Sequence, residues 1–440
     1  MSAQASSASP VPRSILVPFI LVTSLFALWG FANDITNPMV AAFKNILLIS
    51  NFESSLVQFA FYGGYCVMAI PAALFIQKFS YKKGLLMGLF LYALGCLLFI
   101  PSGMLMQFWA FLLAYFIMTC GLSFLETSAN PYILALGPEE TATQRLNFAQ
   151  AFNPLGSITG MFIASNLILS NLNSATEAER MEIQKNSPEA FIALQKADLG
   201  VIIGPYTVLG LVVLVVLVIF ALYKLPAGRN ELDHEIHLGG TLKRLFRNPR
   251  YVGGVVAQAF YVGAQIMIWT FIIQYAGNEL GIDKASAQRY NIIAMAIFVT
   301  SRFICTYLLK YVSPGGLLGV LATGGLLLTL GTIFVQGMAG LYCLIGVSAC
   351  MSLMFPTIYG IALEGLRGDA KLGAAGLIFA IGGGCLMTPM QGAIMDMSAF
   401  NIGGMILSST RVSFFLPAIC FVVIAVYGLW VKSHKARMAA

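Results

Sequence analysis

Charge is what this sequence has least of. Asp, Glu, Lys and Arg make up 10% of its 440 residues, against about 25% in a soluble globular chain. Apolar side chains make up 58%. So few charges cannot cover a water-facing surface, and a soluble globular fold is excluded. Histidine is scarcer still: His234, His237 and His434 are the three in the chain, all outside the apolar runs. There is no nucleophile–base–orienter set, no Walker loop and no metal box of a membrane enzyme. The chain is therefore read as a non-enzyme with no cofactor. Asp233-His234-Glu235-Ile236-His237 has ligand-type side chains, but it lacks a closed set and reads as a solvated loop face rather than a metal site. All eight cysteines lie inside apolar runs, which is packing use and implies no disulfide framework. The net charge of +7 comes from Lys and Arg in short loops between apolar runs, so no nucleic-acid partner is expected. Met1 to Arg13 is polar and Ser-rich. The apolar run that follows has no small-residue cleavage site after a short core, so it is expected to remain as a helix.

What is present is a series of long apolar runs. Twelve are long enough to cross a bilayer, at roughly 15–43, 54–77, 83–101, 105–136, 144–171, 200–224, 251–276, 287–310, 314–336, 338–364, 372–398 and 411–432. The expected fold class is an all-α integral membrane protein with the lipid bilayer as a partner. Most Lys and Arg fall on one side if both termini and the even-to-odd loops share it; Lys78, Lys82, Lys83, Lys224, Arg229, Lys243, Arg244, Arg247, Arg250, Lys432 and Lys435 are among them. The excess of basic residues on the cytoplasmic side of membrane proteins then predicts cytoplasmic termini. It also predicts an external location for the acidic stretch Asn171 to Asp198.

The two halves echo each other. Lys78-Phe-Ser-Tyr-Lys-Lys-Gly84-Leu-Leu follows the second run, and Lys310-Tyr-Val-Ser-Pro-Gly-Gly316-Leu-Leu follows the eighth. Pro131-Tyr-Ile and Pro356-Thr-Ile recur at a similar offset, as do Trp29 and Trp269. We expect a six-helix bundle over 1–225, a cytoplasmic linker over 226–250 and a second six-helix bundle over 251–440. Repeats of this kind belong to transporters, whose substrate site lies near the midplane between the repeats.

Few side chains inside the runs can carry chemistry. Glu126 and Asp34 are the two acids well inside, and Arg302 is the one base. A carboxylate at that depth costs about a few kcal/mol on insertion scales. Low dielectric disfavours a charge, so a buried carboxyl without a cation partner can hold a proton near neutral pH, as a proton carrier must. The competing reading makes each carboxyl a structural hydrogen-bonding group between helices. Glu364, Asp369 and Asp396 lie near run ends, where solvation is cheap. Asp34 sits in the polar patch Asn33-Asp34-Ile35-Thr36-Asn37-Pro38, where local unwinding is expected. Asn130 lies one turn after Glu126. Gln150 and Asn153 share a helix face, which Asn147 extends by a turn. Gln258, Tyr261, Gln265 and Trp269 make one stripe at spacings of about three and four residues. Amides donate and accept, which suits hydroxyl-rich ligands, and an aromatic ring suits the flat face of a pyranose. The alternative is that the amides hold helices together. Gly382-Gly-Gly384 is read as a place of close helix approach or bending.

These residues fall in segments that resemble the fucose–proton symporter family of the major facilitator superfamily along nearly the whole chain. In the first half the segments are Phe59-Ala-Phe-Tyr-Gly-Gly-Tyr65, Ile70-Pro-Ala-Ala73, Tyr81-Lys-Lys-Gly-Leu85, Leu125-Glu-Thr-Ser-Ala-Asn-Pro-Tyr132 and Arg145-Leu-Asn-Phe-Ala-Gln-Ala-Phe-Asn153. In the second half they are Ala257-Gln-Ala-Phe-Tyr-Val-Gly-Ala-Gln265, Phe355-Pro-Thr-Ile358 and Ile381-Gly-Gly-Gly384. The resemblance implies the major facilitator fold, alternating access and proton-driven sugar uptake. It implies that Glu126 links protonation to sugar binding and that Gln150 and Asn153 face the sugar. The sequence departs from the family at one place. Members commonly read A-N-N-x-x-D where Ala32-Asn33-Asp34-Ile-Thr-Asn37 stands here, so the acid has moved about one turn. Asp34 takes over proton handling, or Glu126 acts alone, or sodium replaces the proton; all three stay open.

The expectation is a proton-coupled importer of a monosaccharide, L-fucose or a related hexose, acting as a monomer in the inner membrane. Glu126 and Asp34 are the expected proton-coupling residues. The expected sugar site comprises Asn33, Asn37, Asn130, Gln150, Asn153, Gln258, Tyr261, Gln265 and Trp269. The alternatives are a sodium-coupled or facilitative transporter for glucose, galactose or N-acetylglucosamine, and a transporter-like sugar sensor.

Overall fold

Proline sets the first break in the chain. The computed structural model describes residues 11–137, 145, 148–226, 238–309, 311–366, 369–402 and 405–439. Helix α1 (Leu16–Thr36) stops where Pro38 has no N–H for the Asp34 carbonyl four residues back. Helix α2 (Met39–Leu47) completes the same traverse. The predicted unwinding around Asp34 is therefore a short interruption at Asn37-Pro38. Next come α3 (Asn51–Lys78), α4 (Tyr81–Leu97) with α5 (Phe99–Leu105), and α6 (Phe108–Ala135). Helix α7 (Phe152–Ile163) runs on through a π-helical stretch, Ala164–Ile168. Helix α8 (Glu177–Asn186) and the long α9 (Pro188–Leu222) end the first half.

Helix α10 (Leu238–Arg247) lies in the stretch between the halves, and α11 (Pro249–Leu280), α12 (Lys284–Leu308) and α13 (Pro314–Phe334) follow it. The tenth traverse is broken into α14 (Met338–Met351) and α15 (Met354–Leu363). Pro356 again explains the break, because it leaves the Ser352 carbonyl without a helical donor. Two helices supply donors to the opened turn. Arg302 on α12 donates from Nε to the Ser352 carbonyl at 3.1 Å, and Tyr261 on α11 donates to the Met351 carbonyl at 3.1 Å. Helices α16 (Ala370–Phe379) and α17 (Gly383–Met395) form the eleventh traverse. A two-stranded antiparallel hairpin, β1 (Phe400–Ile402) and β2 (Met405–Leu407), leads to α18 (Ser409–Ser413) and α19 (Phe415–Ala439). Pro71, Pro131, Pro205 and Pro389 sit inside unbroken helices, as membrane helices tolerate when neighbours satisfy the freed carbonyl.

Among the described residues, 11 traverses are long and apolar enough to cross a membrane. Helix α12 completes the even number; it is less apolar because it carries Lys284, Arg289 and Arg302. Twelve traverses bring residues 11 and 439 out on one side, called the terminal end; the opposite side is the far end. The acidic stretch after residue 171 is more ordered than a loop. It folds into α8 and the first turns of α9, which starts twelve residues before the expected run at 200. Arg180 on α8 meets Asp198 on α9 at 2.5 Å, with both side chains buried.

Small residues set the close approaches. A Cβ at Gly156 would overlap the Ala27 carbonyl, and one at Gly30 would overlap the Asn153 carbonyl, so α1 and α7 touch through their backbones. Gly383 meets the Ala259 carbonyl in the same way. The Gly382–Gly384 run thus serves both expected uses: close approach to α11 and a change of helical pitch between α16 and α17.

The hydrogen bonds that join the halves, among the described residues, lie in the far half of the molecule. Asp396 at the end of α17 accepts from the Asn51 and Phe52 backbone N–H groups at 2.8 and 2.7 Å. Ser165 donates to the Ala285 carbonyl at 3.3 Å, and Gln58 donates to Thr270 at 3.0 Å. Asp396 is thus a helix cap between the halves, where its position near a run end had pointed only to cheap solvation.

Candidate functional site

A cavity of about 260 Å³ lies between the halves. That is small beside the roughly 300–1,000 Å³ typical of drug-sized ligand sites. The interrupted first traverse supplies Asn33, Asp34 and Asn37, and α6 supplies Glu126. The α11 stripe supplies Tyr261, Gln265 and Trp269. Gln150 and Asn153 reach in from the fifth traverse. Nine of the eleven expected residues are therefore brought together.

The remaining two stand outside. Asn130 is one layer back; its Oδ1 accepts from Gln150 Nε2 at 3.1 Å, and its Nδ2 donates to the Glu126 carbonyl at 3.0 Å. It orients a cavity residue without lining the cavity. Gln258 is fully buried on α11 and is not part of the lining. Gln258 shares a helix face with Gln265 but lies seven residues, about 10 Å, before it along the axis, so the cavity ends short of it. Asn147, Arg229, Lys310 and the segment Asp233–His237 lie outside the described residues.

The two walls differ in chemistry. The first half contributes both acids and most of the amides. The second contributes Arg302, and each half adds aromatic rings. Trp269 is fixed by its indole N–H, which donates to Ser348 Oγ at 3.1 Å, and packs edge-on to Phe298 with ring centroids 5.1 Å apart. Arg302 lies over the same Phe298 ring, 4.7 Å from its centroid. Phe26 and Trp29 stack at 4.7 Å on the opposite side. Amides that donate and accept, set against flat rings, can hold a compact polyhydroxyl ligand.

Asp34 accepts from Asn37 Nδ2 at 2.9 Å. Neither Asp34 nor Glu126 is in a salt bridge among the described residues. Two acids that share a cavity without a paired cation form a site that can take up and release protons. The cavity is shut on one side and open on the other. Asn37 is 2% exposed, Gln58 1% and Thr270 0% at its far side, whereas Gln150 is exposed and Glu126 half-exposed toward the terminal end.

Sequence reasoning missed Tyr62 and Tyr65, which line the cavity from α3. Their spacing of three in Phe59–Tyr65 was a usable signal. It also missed Ser157, Met295, Phe298 and Phe355. Arg302 was singled out as a buried base, but only the fold placed it on the cavity wall.

The family model described as Major Facilitator Superfamily matches residues 21–389. The chain is 54% identical over 424 residues to an L-fucose-proton symporter of Haemophilus influenzae, covering 96% of this chain and 98% of that one. It is 36% identical to an L-fucose-proton symporter of Escherichia coli, covering 94% and 93%. Among solved structures, a Major Facilitator Superfamily transporter, FucP, in the outward conformation superimposes with a TM-score of 0.71 at 35% identity, over 95% of this chain and 99% of that one.

Proposed function

This chain belongs to the Major Facilitator Superfamily, and we propose that it is a proton-coupled monosaccharide symporter whose substrate is L-fucose or a close hexose relative. The observation that carries the reading is the cavity. Asp34, Glu126 and a set of amides converge between the two halves, beside Trp269. The identity of 54% to an L-fucose-proton symporter supports the same substrate and coupling ion.

In this reading the terminal end is cytoplasmic and the far end external, so both termini face the cytoplasm of a cell whose inner membrane the chain spans. The 1–225 and 251–440 halves rock about the cavity, with 226–250 as the linker. The hydrogen bonds at the far end support an inward-open state in that orientation. From outside, a proton taken up by a carboxylate and the sugar enter together. Gln150, Asn153 and Gln265 hydrogen-bond sugar hydroxyls, Trp269 covers an apolar sugar face, and Glu126 couples occupancy to protonation. Inside, the proton and the sugar leave. Coupling requires that each favour the binding of the other, and the linkage is reciprocal.

The test is sugar-induced alkalinisation of weakly buffered cells that express the chain, with a panel of sugars in competition. Alkalinisation by L-fucose is the expected result. Uptake without a pH change overturns proton coupling and leaves sodium coupling or facilitated diffusion, which a sodium gradient then separates.

A further inference from the structure

We propose that Gln58 and Thr270 are positioning residues for proton release at Asp34, and that they tie that release to closure of the external side. The proposal rests on the symporter reading above and names a pair of residues that reading does not use.

The geometry is a row of four side chains. Asn37 Nδ2 donates to Asp34 Oδ1 at 2.9 Å. Gln58 Nε2 donates to Asn37 Oδ1 at 2.9 Å and to Thr270 Oγ1 at 3.0 Å. All four are buried; the most exposed, Asp34, is 5% accessible. Asp34, Asn37 and Gln58 belong to the first half and Thr270 to the second, so the last link exists only while α3 and α11 are in contact.

Each link sets the direction of the next. An ionised carboxyl only accepts hydrogen bonds. Asn37 therefore faces it with Nδ2, which leaves Oδ1 to accept. Gln58 must then present Nε2, and its second N–H is taken up by Thr270. A protonated carboxyl can still accept the Asn37 N–H, but that bond is weaker than the one to the carboxylate, because hydrogen bonds to a charged acceptor are the stronger. Holding Asn37 with Nδ2 toward Asp34 therefore favours the ionised form. Gln58 keeps Asn37 in that orientation, and Thr270 anchors Gln58 from the second half. With the external side closed, the row suits the carboxylate: the carboxyl O–H bond breaks, its electron pair stays on oxygen, and the proton passes to solvent water in the inward-open cavity. When the external side opens, Thr270 withdraws, Gln58 and Asn37 are free to turn, and the row accommodates a protonated Asp34. That is the order a symporter needs.

Other groups facing the same space are Tyr62 and Tyr65 on α3, Glu126 on α6 and Arg302 on α12, with Tyr206 on α9 beside Thr36. Ser157 on α7 is the uncharged neighbour from the fifth traverse. None of them joins Asp34 to the second half through hydrogen bonds of this row.

The test uses the full chain in cells, with transport measured per copy at the membrane. Thr270→Val removes the hydroxyl while keeping the shape; Gln58→Met breaks the row from the other side; Thr270→Ser restores the hydroxyl. Expected is a split. Sugar counterflow, which needs no net proton movement, stays near wild type in Thr270→Val and Gln58→Met. Proton-driven accumulation falls by roughly two- to tenfold, the factor that one hydrogen bond of ordinary net strength represents, and Thr270→Ser recovers it. Unchanged accumulation in both variants overturns the proposal, and so does a loss of counterflow in step with accumulation, which marks a packing role. A wild type that moves no proton with any sugar would sink the symporter reading; intact coupling in the variants beside a coupled wild type sinks only this proposal.

Discussion

Asp396 caps a helix of the opposite half through Asn51. Its Oδ1 accepts from the Asn51 backbone N–H at 2.8 Å and from Asn51 Nδ2 at 2.7 Å, while Oδ2 takes the Phe52 N–H at 2.7 Å. Helix α3 already has its own capping box from Ser50 and Glu53, so the second cap does not serve to hold the helix. It holds the two halves together at the far end. An anion at a helix N-terminus is favoured by the unpaired N–H groups and the helix dipole.

Asp396→Ala removes this clamp. Hydrogen bonds to charged groups contribute about 1.5–3 kcal/mol each, so the population is expected to shift measurably toward the state open at the far end. The measurement is the labelling rate of a cysteine placed at the buried Ser54, one turn before Gln58 on α3, in a background without the native cysteines. A rate equal to that of the parent would remove Asp396 from the closure.

Glu126→Gln keeps the shape of the side chain and removes its titration. Concentrative uptake is expected to be lost, with sugar exchange retained. Normal accumulation by this variant would assign the coupling to Asp34 alone.

The Arg180–Asp198 pair holds α8 onto α9. Arg180 also donates to the Asn173 and Ala175 carbonyls, at 3.1 and 3.2 Å, and Asp198 accepts from the Asn173 N–H at 2.8 Å. Removing one member of a buried pair leaves the other uncompensated, which costs about 3–5 kcal/mol. Asp198→Ala is expected to lower the Tm strongly in detergent. The double variant Arg180→Met/Asp198→Leu is expected to recover much of the loss, because no charge is left buried. Equal damage from the single and double variants would show that the backbone contacts, rather than the pair, hold this region.

Asp369 docks the linker helix α10 on the second bundle. Arg244 donates to its two oxygens at 2.6 and 2.8 Å, and Thr241 donates at 3.1 Å. The Arg244 side chain beside it holds the Asp369 carboxyl below its ordinary value of 3.8. A depressed carboxyl contributes its stabilisation above the unfolded value and loses it as pH falls through the folded one. The dock should therefore be intact at neutral pH and loosen only below the ordinary carboxylate range. Trypsin sensitivity of 238–247 in Asp369→Asn at pH 7 is expected to exceed that of wild type; equal rates would argue against the dock.

Much of the fold was legible because it is local. Apolar length sets the traverses, and the polar patch ending at Pro38 marked the first break; that Pro356 lies at a break while Pro71, Pro131, Pro205 and Pro389 sit in continuous helices was decided by the surroundings. Glu126 and Asp34 stood out because a carboxyl in an apolar run is costly in any arrangement. The exchange of acid and amide at positions 34 and 37 was visible as well. The structure adds that the two side chains hydrogen-bond to each other.

What tertiary structure alone decided is which faces meet. A membrane helix is apolar toward lipid and apolar toward its neighbours, so its pattern does not say which side points inward. Nor does it give depth: Gln258 and Gln265 share a face of α11 about 10 Å apart along the axis, and only packing decided that the cavity reaches Gln265. It is also why Gln58 and Thr270 drew no notice and Asp396 was read only as a cheaply solvated acid. Their chemistry is that of any glutamine, threonine or aspartate in a membrane helix or at its end. It becomes specific only where packing brings a partner from the other half within 3.0 Å, and such contacts between residues hundreds of positions apart follow from how the two bundles pack, which no local pattern encodes.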